Sequence, residues 1–194
     1  MTLIKRLFLI FMTVGLTLPA HGAKNSVRKA KYSAIVIEAK TGTILHTESS
    51  NMASHPASIT KIMTLYLLFE ALESRKVTLR TKLPISARAA IQPPCKLGLK
   101  AGGTITVKDA LLGLVTKSAN DASVVIAEYL GGTEDNFAKL MTKKARSLGM
   151  TRTTFKNAHG LHNPGQLTTA HDMAVLGREV FRRYPKYYTY FRTQ

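Results

Sequence analysis

The segment from Pro56 to Leu72 limits most tightly how this chain can fold. It carries Ile59, Ile62, Met63, Leu65, Leu67, Leu68, Phe69 and Leu72 with few polar breaks, a pattern that reads as a helix buried on nearly all sides. Such a helix must be wrapped by other elements. A chain of 194 residues with 45% hydrophobic content supplies one core of that size. Polar residues at the start of the run, Ser58 and Lys61, then need a reason to be there.

Their spacing suggests the reason. Three residues apart on a helix, the two side chains share a face and the amine can approach the hydroxyl. A lysine held among apolar side chains loses basicity because burial disfavours the ammonium, and a neutral amine can accept a serine proton. Ser58 then becomes a nucleophile toward a carbonyl carbon, aided by the unpaired amides of a helix N-terminus. The Ser-x-x-Lys string is weak evidence by itself, since about one match is expected by chance in a chain of this composition. A second copy at Ser26 and Lys29 sits in a polar arm with nothing to desolvate the lysine.

Around this segment the pattern predicts a hairpin, with strands over 33–38 and 43–48 joined at Ala39-Lys40-Thr41-Gly42. From Thr78 to Thr106 the composition turns to Pro, Gly, Lys and Thr, predicting a surface excursion with little regular structure. Thr106 with Asp109 opens a helix to about Lys117, and another runs from Asn120 to Leu130. A third starts at Thr133, with Glu134 and Asp135 suited to its positive end, and Gly149 stops it. The stretch from Thr153 to Gly165 reads as loop. Thr169 with Asp172 caps a last helix that ends at Pro185.

The corner between two of these helices, Lys117-Ser118-Ala119, lies 60 residues after Ser58. There Ser118 and Asn120 can project into a cleft, although capping a helix is the common use of both residue types. Ser49 with Asn51, and Lys40-Thr41-Gly42, repeat motif strings in hairpin contexts unsuited to catalysis. His159 and His162 lie in a Gly/Pro loop with no neighbouring carboxylate in sequence, which argues against a metal pair. Tyr187, Tyr188 and Tyr190 are expected to pack the chain end. Cys95 has no partner within the chain and reads as a small loop side chain.

Together these strings resemble a known family. Pro56-Ala57-Ser58-Ile59-Thr60-Lys61-Ile62-Met63-Thr64, Lys117-Ser118-Ala119-Asn120-Asp121, Pro93-Pro94 before Lys96-Leu97-Gly98-Leu99, and Asn157-Ala158-His159-Gly160-Leu161 are similar to the low-molecular-mass penicillin-binding D-alanyl-D-alanine carboxypeptidases, in the family's order. The resemblance implies an α/β, penicillin-binding/β-lactamase-like transpeptidase fold, a helical cluster with an incomplete antiparallel sheet. It implies a serine peptidase that trims the terminal D-alanine from peptidoglycan peptides ending in D-Ala-D-Ala and is trapped by β-lactams. Ser58 would be the acylated nucleophile, Lys61 its proton acceptor, Ser118 the relay to the leaving group and Asn120 the holder of the substrate amide. No metal or organic cofactor is implied.

One family feature has no counterpart. The third motif, a Lys-Thr-Gly on a strand that grips the substrate carboxylate and lends an oxyanion-hole amide, does not occur between Asn120 and Gln194. Loss of one oxyanion donor lowers turnover by about 10²–10³-fold. The expectation is therefore a truncated domain with little or no carboxypeptidase turnover and an unpaired sheet edge.

The first residues predict a secretory leader over 1–22: Lys5 and Arg6, an apolar run from Leu7 to Leu18, then Pro19 and the small-residue stretch Ala20-His21-Gly22-Ala23. The remaining domain, 23–194, is then expected in the periplasm or at the outer face of the cytoplasmic membrane. The formal charge is +17, and losing Lys5 and Arg6 with the leader leaves +15. That field suits anionic wall polymers or association with a lipid surface. No nucleic acid is expected, because basic and aromatic residues do not interleave as in RNA-binding modules. Two other readings compete: a cationic envelope-binding module with a relict serine motif, and a β-lactamase. The latter lacks support because Ser118-Ala119-Asn120 replaces Ser-Asp-Asn and no acidic residue lies between Asp135 and Asp172.

Overall fold

The structure, a computed structural model, describes residues 32–193. The leader and the Ser26/Lys29 string lie outside the described residues. In chain order the elements are β1 (Ala34–Ile37), β2 (Ile44–Glu48), a 3₁₀ turn (Ala57–Thr60), α1 (Lys61–Glu73), β3 (Lys82–Pro84) and α2 (Ala87–Ala90). They continue with β4 (Thr104–Thr106), α3 (Val107–Lys117), α4 (Asn120–Gly131), α5 (Glu134–Ser147), α6 (Ala170–Arg183) and α7 (Pro185–Tyr188), and a closing 3₁₀ turn covers Thr189–Arg192.

The apolar run becomes α1 as its pattern requires. Met63, Leu65, Tyr66, Leu68 and Phe69 are all buried, and α1 touches α3, α4, α5 and α6. Its second wall is α4, in which every residue from Asn120 to Ala127 is buried. Tyr187 stacks on Phe69 with ring centres 5.2 Å apart, and Tyr184 meets Tyr66 edge-on at 5.1 Å, so the C-terminal tyrosines pack the core as expected.

Two predicted caps form as read and Thr133, expected only as a helix start, adds a third: the side chains of Thr106, Thr133 and Thr169 accept hydrogen bonds from the amides of Asp109, Asn136 and Asp172. Each meets one of the orphan donors of its helix. The hairpin also forms, with Ala34 opposite Glu48 and Val36 opposite His46 and a bulge between Val36 and Ile37. Its turn is tied down by Arg178 of α6, which donates to the carbonyls of Ala39 at 3.1 Å and Lys40 at 2.9 Å.

One expectation fails. The 78–106 excursion holds regular structure, because β3 and β4 pair antiparallel, Leu83 opposite Ile105, and α2 lies between them. The apolar residues Leu83, Ile85, Ala89 and Ile105 anchor it in the core, a signal that the Pro and Gly content of the segment masked. The described residues thus form a helical cluster flanked by two separate two-stranded sheets. Among them no helix is long and apolar enough to cross a membrane.

Candidate active site

Ser58 lies in the 3₁₀ turn rather than inside the α-helix that was expected, and Lys61 is the first residue of α1. The three-residue spacing still works, since residues i and i+3 eclipse in a 3₁₀ helix. Ser58 is exposed and Lys61 is only 3% exposed. Immediately before the serine, Ala57 adopts φ +46°, a left-handed conformation that costs a non-glycine residue about 1 kcal/mol or more. The turn is thereby presented at the surface while its lysine points inward.

The Lys61 ammonium nitrogen makes two hydrogen bonds, to Asn120 Oδ1 at 2.9 Å and to the backbone carbonyl of His159 at 2.6 Å. The Ser58 hydroxyl is not among its partners. Burial pulls the Lys61 pKa down to about 8, with Cys95 acting in the opposite sense. Neither hydrogen-bond acceptor is charged, so the protonated form gains little to offset its desolvation.

Asn120 does not act as a cap. Ala119 occupies the N-cap position of α4, without a side-chain bond, and Asn120 is buried with all its polar groups engaged. Its Oδ1 takes Lys61, its Nδ2 donates to the Pro93 carbonyl at 3.0 Å, and its backbone amide donates to the Cys95 carbonyl at 2.8 Å. Asp121 completes this anchor by accepting from the amides of Leu97, Gly98 and Leu99 at 2.9–3.1 Å. The 93–99 segment is therefore fastened to the start of α4.

Ser118 ends α3 with φ +54° and ψ +41°, which turns its side chain into the same space. The resulting cleft, about 160 Å³, is lined by Ala57, Ser58, Pro94, Cys95, Ser118, Asn120, His159, Gly160 and Leu161. Cys95 is exposed and forms part of this wall, a place its loop context did not reveal. Neither the Ser58 nor the Ser118 hydroxyl has a hydrogen-bond partner among the described residues. All four residues named from sequence thus meet at one place: two hydroxyls facing the cleft, and behind them an amine held by an amide.

The Asn157–Leu161 loop closes the cleft, and sequence reading missed most of its function. Gly160 has φ +96°, and a side chain there would overlap the Ala57 carbonyl. His159 is buried, with Nε2 3.1 Å from Glu134 Oε1, while its Nδ1 accepts from the Leu161 amide at 3.0 Å. Glu134, from its sequence position a charge suited to a helix dipole, is only 3% exposed. Burial alone would raise its pKa, yet hydrogen bonds from His159, the Ala158 amide and Arg88 outweigh that and lower it to about 2. No local sequence signal marks Glu134, since first-turn glutamates are commonly solvated, and the Asn157–Leu161 string that contains His159 gives no hint of its partner.

The motif strings set aside as decoys lie elsewhere. Gly42 borders a depression with Ile35, Ile44 and Arg178, away from the residues of the cleft. The Asn51 carbonyl accepts from Arg152.

The profile of the D-alanyl-D-alanine carboxypeptidase family, peptidase S11, matches residues 21–194. The chain is 42% identical over 163 residues to D-alanyl-D-alanine carboxypeptidase DacF of Bacillus subtilis, covering 84% of this chain and 40% of that protein. It is 35% identical to DacC of Escherichia coli, over 79% of this chain and 40% of the relative. The chain therefore spans about two fifths of the length of these curated relatives. Among solved structures, DacD of Francisella tularensis superposes with a TM-score of 0.80 at 36% identity, covering 82% of this chain and 38% of that one. Penicillin-binding protein D2 of Listeria monocytogenes, solved in a cefotaxime-bound form, gives 0.69 at 28% identity, over 79% and 63% of the two chains.

Proposed function

The chain belongs to the D-alanyl-D-alanine carboxypeptidase family, peptidase S11, and from that premise we propose that it is a serine-type D-Ala-D-Ala carboxypeptidase, a hydrolase that acts through an acyl-enzyme on peptidoglycan peptides ending in D-Ala-D-Ala. Ser58 is the nucleophile, Lys61 the base, Ser118 the proton relay and Asn120 the amide that orients both lysine and substrate. β-Lactams are its covalent inhibitors, as the cefotaxime-bound relative suggests.

One observation carries the reading: Lys61 is buried with two uncharged acceptors and, among the described residues, no carboxylate partner. A structural lysine in a core is normally paired with an acid. A neutral amine has two N–H bonds and one lone pair. With both N–H groups given to Asn120 Oδ1 and the His159 carbonyl, the lone pair remains for a proton from Ser58.

In the acylation step the Ser58 hydroxyl proton passes to Lys61 Nζ as Oγ bonds to the carbonyl carbon of the penultimate D-alanine. The C–N bond to the terminal D-alanine then breaks, and its nitrogen takes a proton passed on from Lys61 through Ser118. Water hydrolyses the resulting Ser58 ester. The Ser58 amide, at the start of the 3₁₀ turn, is suited to favour negative charge on the attacked carbonyl oxygen.

On the same premise the protein works outside the cytoplasmic membrane, with residues 1–22 as its leader and 23–194 as the mature chain that carries the catalytic domain. A secreted form whose N-terminus is Ala23 is the expected product, and an intact N-terminus would refute this.

Labelled penicillin tests the enzyme reading. The expected result is a covalent adduct mapped to Ser58 by peptide mass spectrometry and lost in Ser58→Ala. A folded protein that forms no adduct and instead binds anionic wall polymers in a salt-sensitive way would support a cationic envelope-binding module. D-Alanine release from a D-Ala-D-Ala peptide reads the complete hydrolytic cycle.

A further inference from the structure

The loop that supplies one of the two Lys61 acceptors is itself held from behind by a single buried carboxylate. Glu134 Oε1 accepts from the Ala158 amide at 3.1 Å and lies 3.1 Å from His159 Nε2. Its Oε2 takes Arg88 Nη2 at 2.6 Å and Nε at 3.2 Å. The front of the same two loop residues faces α1, where the Ala158 carbonyl accepts from Thr64 Oγ1 at 2.7 Å and the His159 carbonyl accepts from Lys61 Nζ at 2.6 Å. One dipeptide is therefore clamped between Glu134 on one side and the Lys61 helix on the other.

We propose that Glu134 is a positioning residue for acylation: through the Ala158 amide and His159 Nε2–H it holds the His159 carbonyl on Lys61 Nζ, which keeps that amine desolvated and directs its lone pair. This rests on the reading of Lys61 as the base.

Three features favour this over a purely architectural anchor. The carboxylate fixes the His159 tautomer, because Nδ1 accepts from the Leu161 amide and so carries no proton, leaving Nε2–H for Glu134. Glu134 thus sets the orientation of the ring whose own backbone carbonyl meets Lys61. The loop also has no slack, since Gly160 abuts the Ala57 carbonyl, so a shift of the loop moves the turn that bears Ser58. Finally, Glu134 joins three segments distant in sequence, α2 through Arg88, α5 and the 157–161 loop, directly behind the catalytic lysine. The titratable and charged groups packed here are Arg88 from α2, Glu134 from α5 and His159 from the loop. On the cleft side they are Lys61 from α1 and Cys95.

The test measures Lys61 directly, by lysine ¹³Cε NMR titration of the protein with the signal assigned in Lys61→Arg, alongside the rate of penicillin acylation. In Glu134→Ala the loop loses its clamp. The Lys61 titration should then move up by about one pH unit or more toward that of a solvated amine, and acylation at neutral pH should slow about tenfold or more. Glu134→Gln keeps an oxygen for the Ala158 amide and His159 Nε2–H, so it should recover most of both. A cooperatively folded Glu134→Ala protein with unmoved Lys61 titration and acylation rate would overturn the proposal and leave Glu134 as an anchor of the fold. If that variant does not fold, His159→Leu removes the same donor and carries the same two readouts, with an unmoved Lys61 again decisive against it. Should the unmutated protein form no penicillin adduct, the enzyme reading fails, while the Lys61 titration still decides whether Glu134 positions the amine.

Discussion

Gly160 lies so close to Ala57 that a side chain on the glycine would overlap the carbonyl immediately before Ser58. The contact sets the distance between the loop that supports Lys61 and the turn that presents the serine. Gly160→Ala adds both the overlap and a left-handed conformation unsuited to alanine, so stability should fall by about 1–3 kcal/mol. Acylation by penicillin should fall further than the loss of folded protein explains, by about 10²-fold, because displacement of the order of 1 Å is enough. Urea unfolding and labelling rates on the same samples separate the two effects.

The acylation rate should rise with pH and level off above about 8, where Lys61 becomes neutral. The direction follows from the role, since a base must be unprotonated and its neutral fraction falls about tenfold per unit below the pKa. Lys61→Arg should abolish capture, because a guanidinium keeps its proton. Stopped-flow acylation between pH 6 and 10 gives the profile.

Asn120→Asp replaces a neutral acceptor of Lys61 with a carboxylate at the same place. An opposite charge favours the ammonium, so the Lys61 limb should move to higher pH and acylation at neutral pH should drop by about 10²-fold. A helix cap would behave differently, because aspartate caps as well as asparagine. An unchanged pH profile would return Asn120 to a structural role.

Asp121 accepts from the amides of Leu97, Gly98, Leu99 and Ala122. Asp121→Ala orphans all four donors and should cost about 2–4 kcal/mol. Hydrogen exchange should speed up first at Leu97 to Leu99, and the cleft wall at Pro94 and Cys95 should loosen with it.

Cys95 borders a cleft of about 160 Å³ together with Ser58. A maleimide attached there should fill the cleft and suppress penicillin capture by an order of magnitude or more. Cys95→Ser should capture penicillin normally and ignore the reagent, as read by labelling before and after treatment. Equal sensitivity of both proteins would place the reagent's effect elsewhere.

Much of this architecture was legible because it is written locally. The apolar run that became α1 and the threonine caps at Thr106, Thr133 and Thr169 depend on residues within one or two turns of each other. Ser58, Lys61, Ser118 and Asn120 stood out by spacing and context, and the fold brings all four to one cleft. The 78–106 excursion was misread because three- and four-residue elements such as β3 and α2 are too short for periodicity to register. Glu134 escaped notice for a different reason: its sequence neighbours, Asp135 and Asn136, are exposed, and only the loop packed over it makes it a buried acid.

The sequence by itself determined that Lys61 would be buried three residues after a serine, because a lysine at the start of a helix that is apolar on nearly all sides is covered by whatever packs on that helix. It did not determine what that lysine would touch. Its two partners come from 59 and 98 residues further along the chain, and one of them is a backbone carbonyl. Every residue carries that carbonyl, so no side-chain pattern can single out the one that a folded loop will deliver.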